Sequence, residues 1–211
     1  MIGKTRTNVY ASVEIQYEYL HSLIADIPTY YEKEYNKVFQ NIENEAKIES
    51  DGDLDIYYSI FSNNYGAIDY LGELCVKSKN LVFLAIYSYF EISLNEIVNF
   101  YRIEISNNIY CQKVLPRILD YCELEINDTI ESVSQIDFTI DFCRLLRNKI
   151  VHGELSQKKD EEKLKKYILI FSKYFDSFQN IATIEFLEKS LEIIKNLLIK
   201  LEVACDKKRK K

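Results

Sequence analysis

The sequence predicts an all-α protein, and three observations predict it. Only five glycines and two prolines punctuate 211 residues, too few turn-formers for many short strands. Hydrophobic residues make up 47% and charged residues 28%, the balance of a globular chain able to bury its own core. Apolar residues recur at spacings of three and four along most of the chain, which is the helical period.

The elements follow in order. Residues 8 to 25 read as a first helix, with Val9, Val13, Leu20, Leu23 and Ile24 as its apolar stripe. Pro28 suits the first turn of a second helix, where its missing N–H costs nothing. That helix runs to about Ile48, with Tyr31, Tyr35, Val38, Phe39 and Ile42 on one side. The acidic run Glu49 to Asp53 then breaks the pattern. It resembles half a calcium loop but lacks the spaced oxygen ligands and closing Glu of an EF-hand, so it reads as a solvated loop. Leu54 to Gly72 gives a mixed signal, with a turn expected at Asn63-Asn64-Tyr65-Gly66. Residues 78 to 104 are the strongest helical segment, apolar almost all round at its start, as a central core helix is.

Short helices are expected over Cys111–Glu123 and Asp128–Ser132. Ser134-x-x-Asp137 resembles a capping box. The helix it starts carries Ile136, Phe138, Ile140, Phe142, Leu145, Leu146 and Ile150, with Gly153 as its left-handed stop. Lys158 to Lys166 reads as a charged loop. Tyr167–Phe171 and Ile181–Ile184 are short and β-rich, bracketing Asp176, Ser177 and Asn180. They suggest a small hairpin, with continuous helix as the competing reading. A last helix spans Glu185 to about Cys205. The whole is expected to be one domain, residues 1–211, with 1–52 as an N-terminal helical extension and 78–205 as the core.

Composition excludes several classes. The longest apolar stretch, Leu81 to Phe90, is ten residues broken only by Ser88, half of what a membrane span needs, so it is expected to be buried in protein. The first thirty residues contain Glu14, Glu18 and Asp26, unlike a signal peptide. A cytoplasmic location without membrane association is therefore expected. The five cysteines are odd in number and form no C-x-x-C pair, so neither a disulfide framework nor a zinc site is suggested. No cofactor or metal is expected. A net charge of −6 argues against a protein that coats nucleic acid with its whole surface, but leaves room for a local positive site. The basic tail Lys207–Lys211 reads as a solvated, frayed helix end where cations suit the dipole.

The chemistry concentrates in Arg144-Leu-Leu-Arg147-Asn148-Lys149-Ile150-Val151-His152-Gly153, which holds one of only two histidines. Asn148 and His152 are four apart and share a helix face. Arg147 lies ~100° from Asn148 around the axis. One helix can thus present a guanidinium, an amide and an imidazole to one cleft, and an antiparallel second copy would oppose two such sets.

This segment resembles the signature of the HEPN superfamily: an Arg followed by a polar residue, then a His four to six residues on. Here Arg147, Asn148 and His152 match it. Tyr87-Ser88-Tyr89-Phe90-Glu91 resembles the aromatic-plus-Glu segment that many bacterial members carry on the preceding helix. The resemblance covers roughly residues 78 to 205. It implies an up-and-down helical bundle that dimerises through the motif helices. It also implies a metal-independent endoribonuclease, in many members a toxin or an antiphage-defence effector, with an antitoxin or defence-system protein as partner. On that basis the site residues are Arg147, Asn148 and His152, supported by Glu91, and the substrate is RNA.

The chemistry is physically sound. RNA breaks when its 2′-OH attacks the adjacent phosphate, which needs proton transfer and charge stabilisation. His152 can serve as general base or acid and Arg147 can hold the phosphoryl oxygens. Asn148 can orient His152 or the phosphate, and Glu91 can pair with Arg147. Some toxin members carry a Tyr two residues after the His as a modification site; Glu154 stands there instead. His21 falls outside the resemblance and reads as an ordinary surface or interface histidine. The plainer alternative is a helix end, where cations favour the dipole and bond the last carbonyls. It explains His152 better than Arg147 and Asn148, which lie more than a turn from Gly153. A non-catalytic helical module binding a partner protein or nucleotide is the alternative function.

Overall fold

The computed structural model describes residues 8–105, 110–175 and 182–210. The architecture is all-α with one minimal hairpin. Two long antiparallel helices, α1 (Asn8–Ser50) and α2 (Leu54–Tyr101), are followed by α3 (Cys111–Cys122) and the strands β1 (Thr129–Ile130) and β2 (Val133–Ser134). Next come a single turn, α4 (Gln135–Asp137), a π-helical turn over Phe138–Phe142, and α5 (Cys143–His152). Then follow α6 (Lys158–Ile170), a 3₁₀ turn over Ser172–Tyr174, and α7 (Ile184–Arg209).

One hydrophobic cluster holds the body together. The C-terminal half of α2 supplies Val82, Phe83, Ile86, Phe90, Leu94 and Ile97, and α7 supplies Phe186, Leu187, Leu191, Ile194, Leu198 and Leu201. Each such side chain contributes roughly 1.5–3 kcal/mol when fully buried. The predicted helix at 78–104 is therefore central, as expected, and it ends at Tyr101 because Arg102 turns left-handed at φ +53°. By length and composition α2 is apolar enough to cross a membrane, but half of its most apolar window is buried inside the protein. Val13, Leu20 and Ile24 of α1 join the same cluster, so the first half of the N-terminal extension belongs to the core.

Several expectations need correction. The two N-terminal helices are one: Pro28 sits inside α1 rather than in a first turn. A proline there removes a hydrogen bond and ordinarily bends or breaks a helix. Pro28 is buried and α1 packs along α2, so tertiary contact overrides the local penalty. The expected turn at Asn63–Gly66 is continuous helix, in which the Asn64 amide donates back to the Ile60 carbonyl at 2.9 Å. The charged stretch Lys158–Lys166 is helix α6, with Asp160 and Glu161 in its first turn, where the dipole favours anions, and Leu164 and Tyr167 buried.

Asp128–Ser132 is not a helix. It forms the hairpin β1–β2, whose two turn residues, Glu131 and Ser132, have φ of +47° and +70°, as a tight primed turn requires. The expected strand at Tyr167–Phe171 is instead the end of α6, as the competing helical reading had it, and the only pairing near it among the described residues is one antiparallel bridge between Phe175 and Ala182, with the Thr183 N–H donating to the Tyr174 carbonyl at 2.9 Å. Asp176, Ser177 and Asn180 lie outside the described residues. The loop after α1 is a tight turn through Asp51 and Gly52 (φ +46° and +91°), after which Asp53 caps α2 through the Asp55 and Ile56 N–H groups. The C-terminal end is docked rather than frayed: Lys208 pairs with Glu123, and the Arg209 guanidinium lies 5.4 Å from the Phe100 ring centre.

Candidate functional site on α5

Helix α5 is positioned from its N-terminal side by a cap and an aromatic cluster. Ser134 accepts the Asp137 N–H at 3.0 Å and donates its hydroxyl to the Asp137 carboxylate at 2.8 Å. The capping signal is thus real, with a hydroxyl–carboxylate bond in place of the usual return bond to the backbone. The π turn that follows is absent from the sequence pattern. Such turns insert an extra residue and shift the face that the following helix presents. Phe138 and Phe142, both fully buried, meet at 5.7 Å between ring centres.

Beyond this anchor, α5 has an inner and an outer side. Cys143, Leu145 and Leu146 are buried against the core. At 100° per residue, Arg147, Asn148 and His152 fall within about 140° of arc on the opposite side. Arg144 and Val151 share that outer arc. Arg147 and Asn148 are half-buried, Val151 is 47% exposed, and His152 is exposed. Gly153 closes the helix at φ +73°, its N–H bonding the Lys149 carbonyl at 2.9 Å. The expected stop is where the sequence placed it, although its ψ of −37° differs from the left-handed helical value.

The polar contacts refine the expected roles. The Arg147 Nη1 donates to the Asn148 Oδ1 at 3.1 Å, so Asn148 orients the guanidinium in this structure. Glu91, on α2, is half-buried beside α5. Burial pushes its carboxyl above the usual carboxylate range, and the nearby Arg147 charge draws it back. The two make no direct ion pair among the described residues; the Arg147 bond goes to Asn148 and its influence on Glu91 is through charge. The other members of the aromatic segment are structural. Tyr87 hydrogen-bonds the Cys111 thiol at 2.8 Å, Tyr89 donates to the Val13 carbonyl at 3.1 Å, and Phe90 is fully buried. His21 is exposed on α1, its ring 5.9 Å from Tyr17.

The sequence reading missed a second polar set beside the motif. Asp141 accepts from Arg144 at 3.3 Å and from the Tyr167 hydroxyl at 2.9 Å, and it pairs with Lys163. Lys149 pairs with Glu161 at 2.7 Å, and the same Glu161 oxygen accepts the Leu155 N–H. These bonds tie α5 to α6. The available signal was spacing: Asp141 and Arg144 are three apart and Arg144 and Asn148 four apart, on neighbouring helix positions.

Burial tends to raise the Asp141 carboxyl. The bonds and charge of Lys163, the Tyr167 hydroxyl and Arg144 outweigh it and hold the group below its ordinary 3.8. A carboxylate depressed in the folded state stabilises fully above its unfolded pKa and loses that contribution as pH falls through its folded value. Asp141→Asn is therefore expected to cost about 1–3 kcal/mol near neutral pH. Urea titrations across pH should show the gap to wild type closing only below about pH 4.

Among the described residues no cluster of three or more His, Cys, Asp or Glu could hold a metal ion. Cys111, Cys143 and Cys205 are buried and Cys75 and Cys122 half-buried. Comparison with known proteins returns no match to any family model, any curated protein or any solved structure.

Proposed function

We propose that this chain is a HEPN-type, metal-independent endoribonuclease that works in the cytoplasm as a homodimer through the outer faces of two α5 helices. The observation that carries the reading is the outer face itself. A half-buried guanidinium, oriented by an amide, shares an arc with an exposed imidazole and an exposed valine, over an inner face fully committed to the core. A plain surface helix has no need of an oriented Arg–Asn pair, and an apolar Val151 within a polar face suits contact with a second copy.

In this reading His152 moves the proton: it takes it from the 2′-OH, or supplies it to the departing 5′-oxygen. Arg147 holds the phosphoryl oxygens as negative charge grows, and its planar fork fits two of them. Asn148 fixes the fork, and Glu91, near it but not in contact, adds a negative charge that the Arg147 cation feels. The products would be a 2′,3′-cyclic phosphate and a 5′-hydroxyl. A toxin or antiphage effector role follows from the resemblance, with an antitoxin or defence protein as partner. Induced expression in a bacterial host is expected to arrest growth, and Arg147→Ala to relieve the arrest. Equal arrest by both chains at equal expression would remove the site from the effect and favour a non-catalytic binding module.

A further inference from the structure

The second half of α1 and first half of α2 form an arm that the proposed nuclease site does not use. The hydrophobic cluster of the body takes no residue between Ile24 and Val82. Over that span the two helices face chiefly each other, and Ile42 and Ala46 are the buried hydrophobic residues there. Each helix extends about 35 Å through the arm at 1.5 Å per residue. Two packed helices leave their seam uncovered on either side, and on one side here lies a cleft of about 850 Å³ that Thr183, just before α7, bounds at the body end. It is lined by Tyr35 and Asn36 of α1 and by Tyr65, Ile68, Gly72 and Val76 of α2. Gly72 lies in its wall, where a Cβ would meet only Tyr35, at an ordinary contact distance of 3.8 Å, and a larger side chain would project into the cleft.

An aromatic track continues from the cleft toward the tip. Tyr35 stacks on Phe39 at 6.1 Å, Phe39 meets Phe61 at 5.7 Å, and Phe61 meets Tyr57 at 5.2 Å. Tyr58 and Tyr65, on the same helix as Tyr57, are 64% and 66% exposed. The charge of the arm is one-sided. From Asp26 to Ser78 it carries eleven carboxylates against four lysines, while the whole chain carries −6, so the rest of the molecule is close to neutral. At the cleft, Lys79 pairs with Glu32 and Lys77 with Glu73, which leaves Asp69 without an ion pair among the described residues.

We infer that this cleft is a docking groove for a basic amphipathic helix of a partner protein, completing a three-helix bundle with the arm. The shape asks for a third helix whose apolar row, at spacings of three and four, fills the seam. The chemistry asks for cations. Exposed tyrosine faces attract guanidinium and ammonium groups, and the surrounding carboxylates do the same. The same charge disfavours the other occupants. A second arm would bring like charges together, and RNA would be repelled.

The test uses the full chain and two synthetic amphipathic peptides of about five helical turns, one Leu/Arg and one Leu/Glu, with the same apolar row. Calorimetric titration at low salt is expected to show the Leu/Arg peptide binding at least about tenfold tighter. Gly72→Leu, which fills the cleft with a better helix former, should weaken that binding by at least about tenfold, with helicity by circular dichroism as its control. Tyr65→Ala and Asp69→Arg change exposed side chains and should each weaken it without altering the fold. Equal binding of the two peptides, no binding of the Leu/Arg peptide, or affinity unchanged in these variants would overturn the inference. So would sedimentation showing a dimer that Gly72→Leu dissociates, since the groove would then belong to a second copy.

Discussion

Arg147→Ala and His152→Ala are each expected to slow cleavage of single-stranded RNA by about 10²–10³-fold, the usual loss when one charge-stabilising donor or one proton-transfer group is removed. The two should differ in character. Arg147→Lys keeps the charge but loses the planar fork that Asn148 orients at 3.1 Å, so it should recover only part of the rate. His152→Gln keeps a hydrogen-bonding side chain but cannot take up and pass on a proton, so it should recover almost none of the rate. Neither residue is fully buried, so thermal melting should shift by only a few degrees. That contrast separates loss of chemistry from loss of fold.

Phe142→Ala is expected to do the reverse. Its ring is fully buried and stands within 5.1 Å of Tyr167 and of Phe171, 5.7 Å of Phe138 and 5.8 Å of Phe186, centre to centre. It joins α6, α7 and the π turn immediately before α5. Removing such a ring leaves a cavity and typically costs about 3–5 kcal/mol, which for a chain of this size lowers the melting temperature by roughly 10 °C. Phe61→Ala offers the comparison. Phe61 is half-buried in the two-layer arm, so its loss should cost markedly less by the same measurement. If both cost the same, the core does not lie where the structure places it.

Much of the fold was legible because helical periodicity survives wherever a helix has one buried side. The helices at 111–123 and 185–205, the C-terminal end of the one at 78–104, the Ser134 cap and the Gly153 stop appear close to their expected places, whereas the helix expected from residue 78 starts at Leu54. The misreadings share a cause: local signals were outweighed by contacts that no local window contains. Pro28 and the Asn63–Gly66 run look like breaks, yet each lies on a helix paired along its length with another. The lysine-rich start of α6 looks like a loop because its buried side is narrow, carried by Leu164 and Tyr167. The hairpin at 129–134 hides because Glu131 and Ser132 take positive φ without the glycine or asparagine that usually announces it.

For the candidate site, spacing placed Arg147, Asn148 and His152 on one arc, and the outer face of α5 carries them together. The sequence could not say which partner Asn148 would choose, nor that Asp141, Lys163 and Tyr167 would brace the helix from α6. Those are contacts across elements, fixed by packing rather than by neighbours in the chain.

The most direct measurement is incubation of purified wild type and His152→Ala with single-stranded RNA in excess EDTA, followed by analysis of the fragment ends. The account predicts cleavage by the wild type alone, leaving 2′,3′-cyclic phosphate and 5′-hydroxyl termini. Equal cutting by the two chains, or fragments carrying 5′-phosphates, would contradict it.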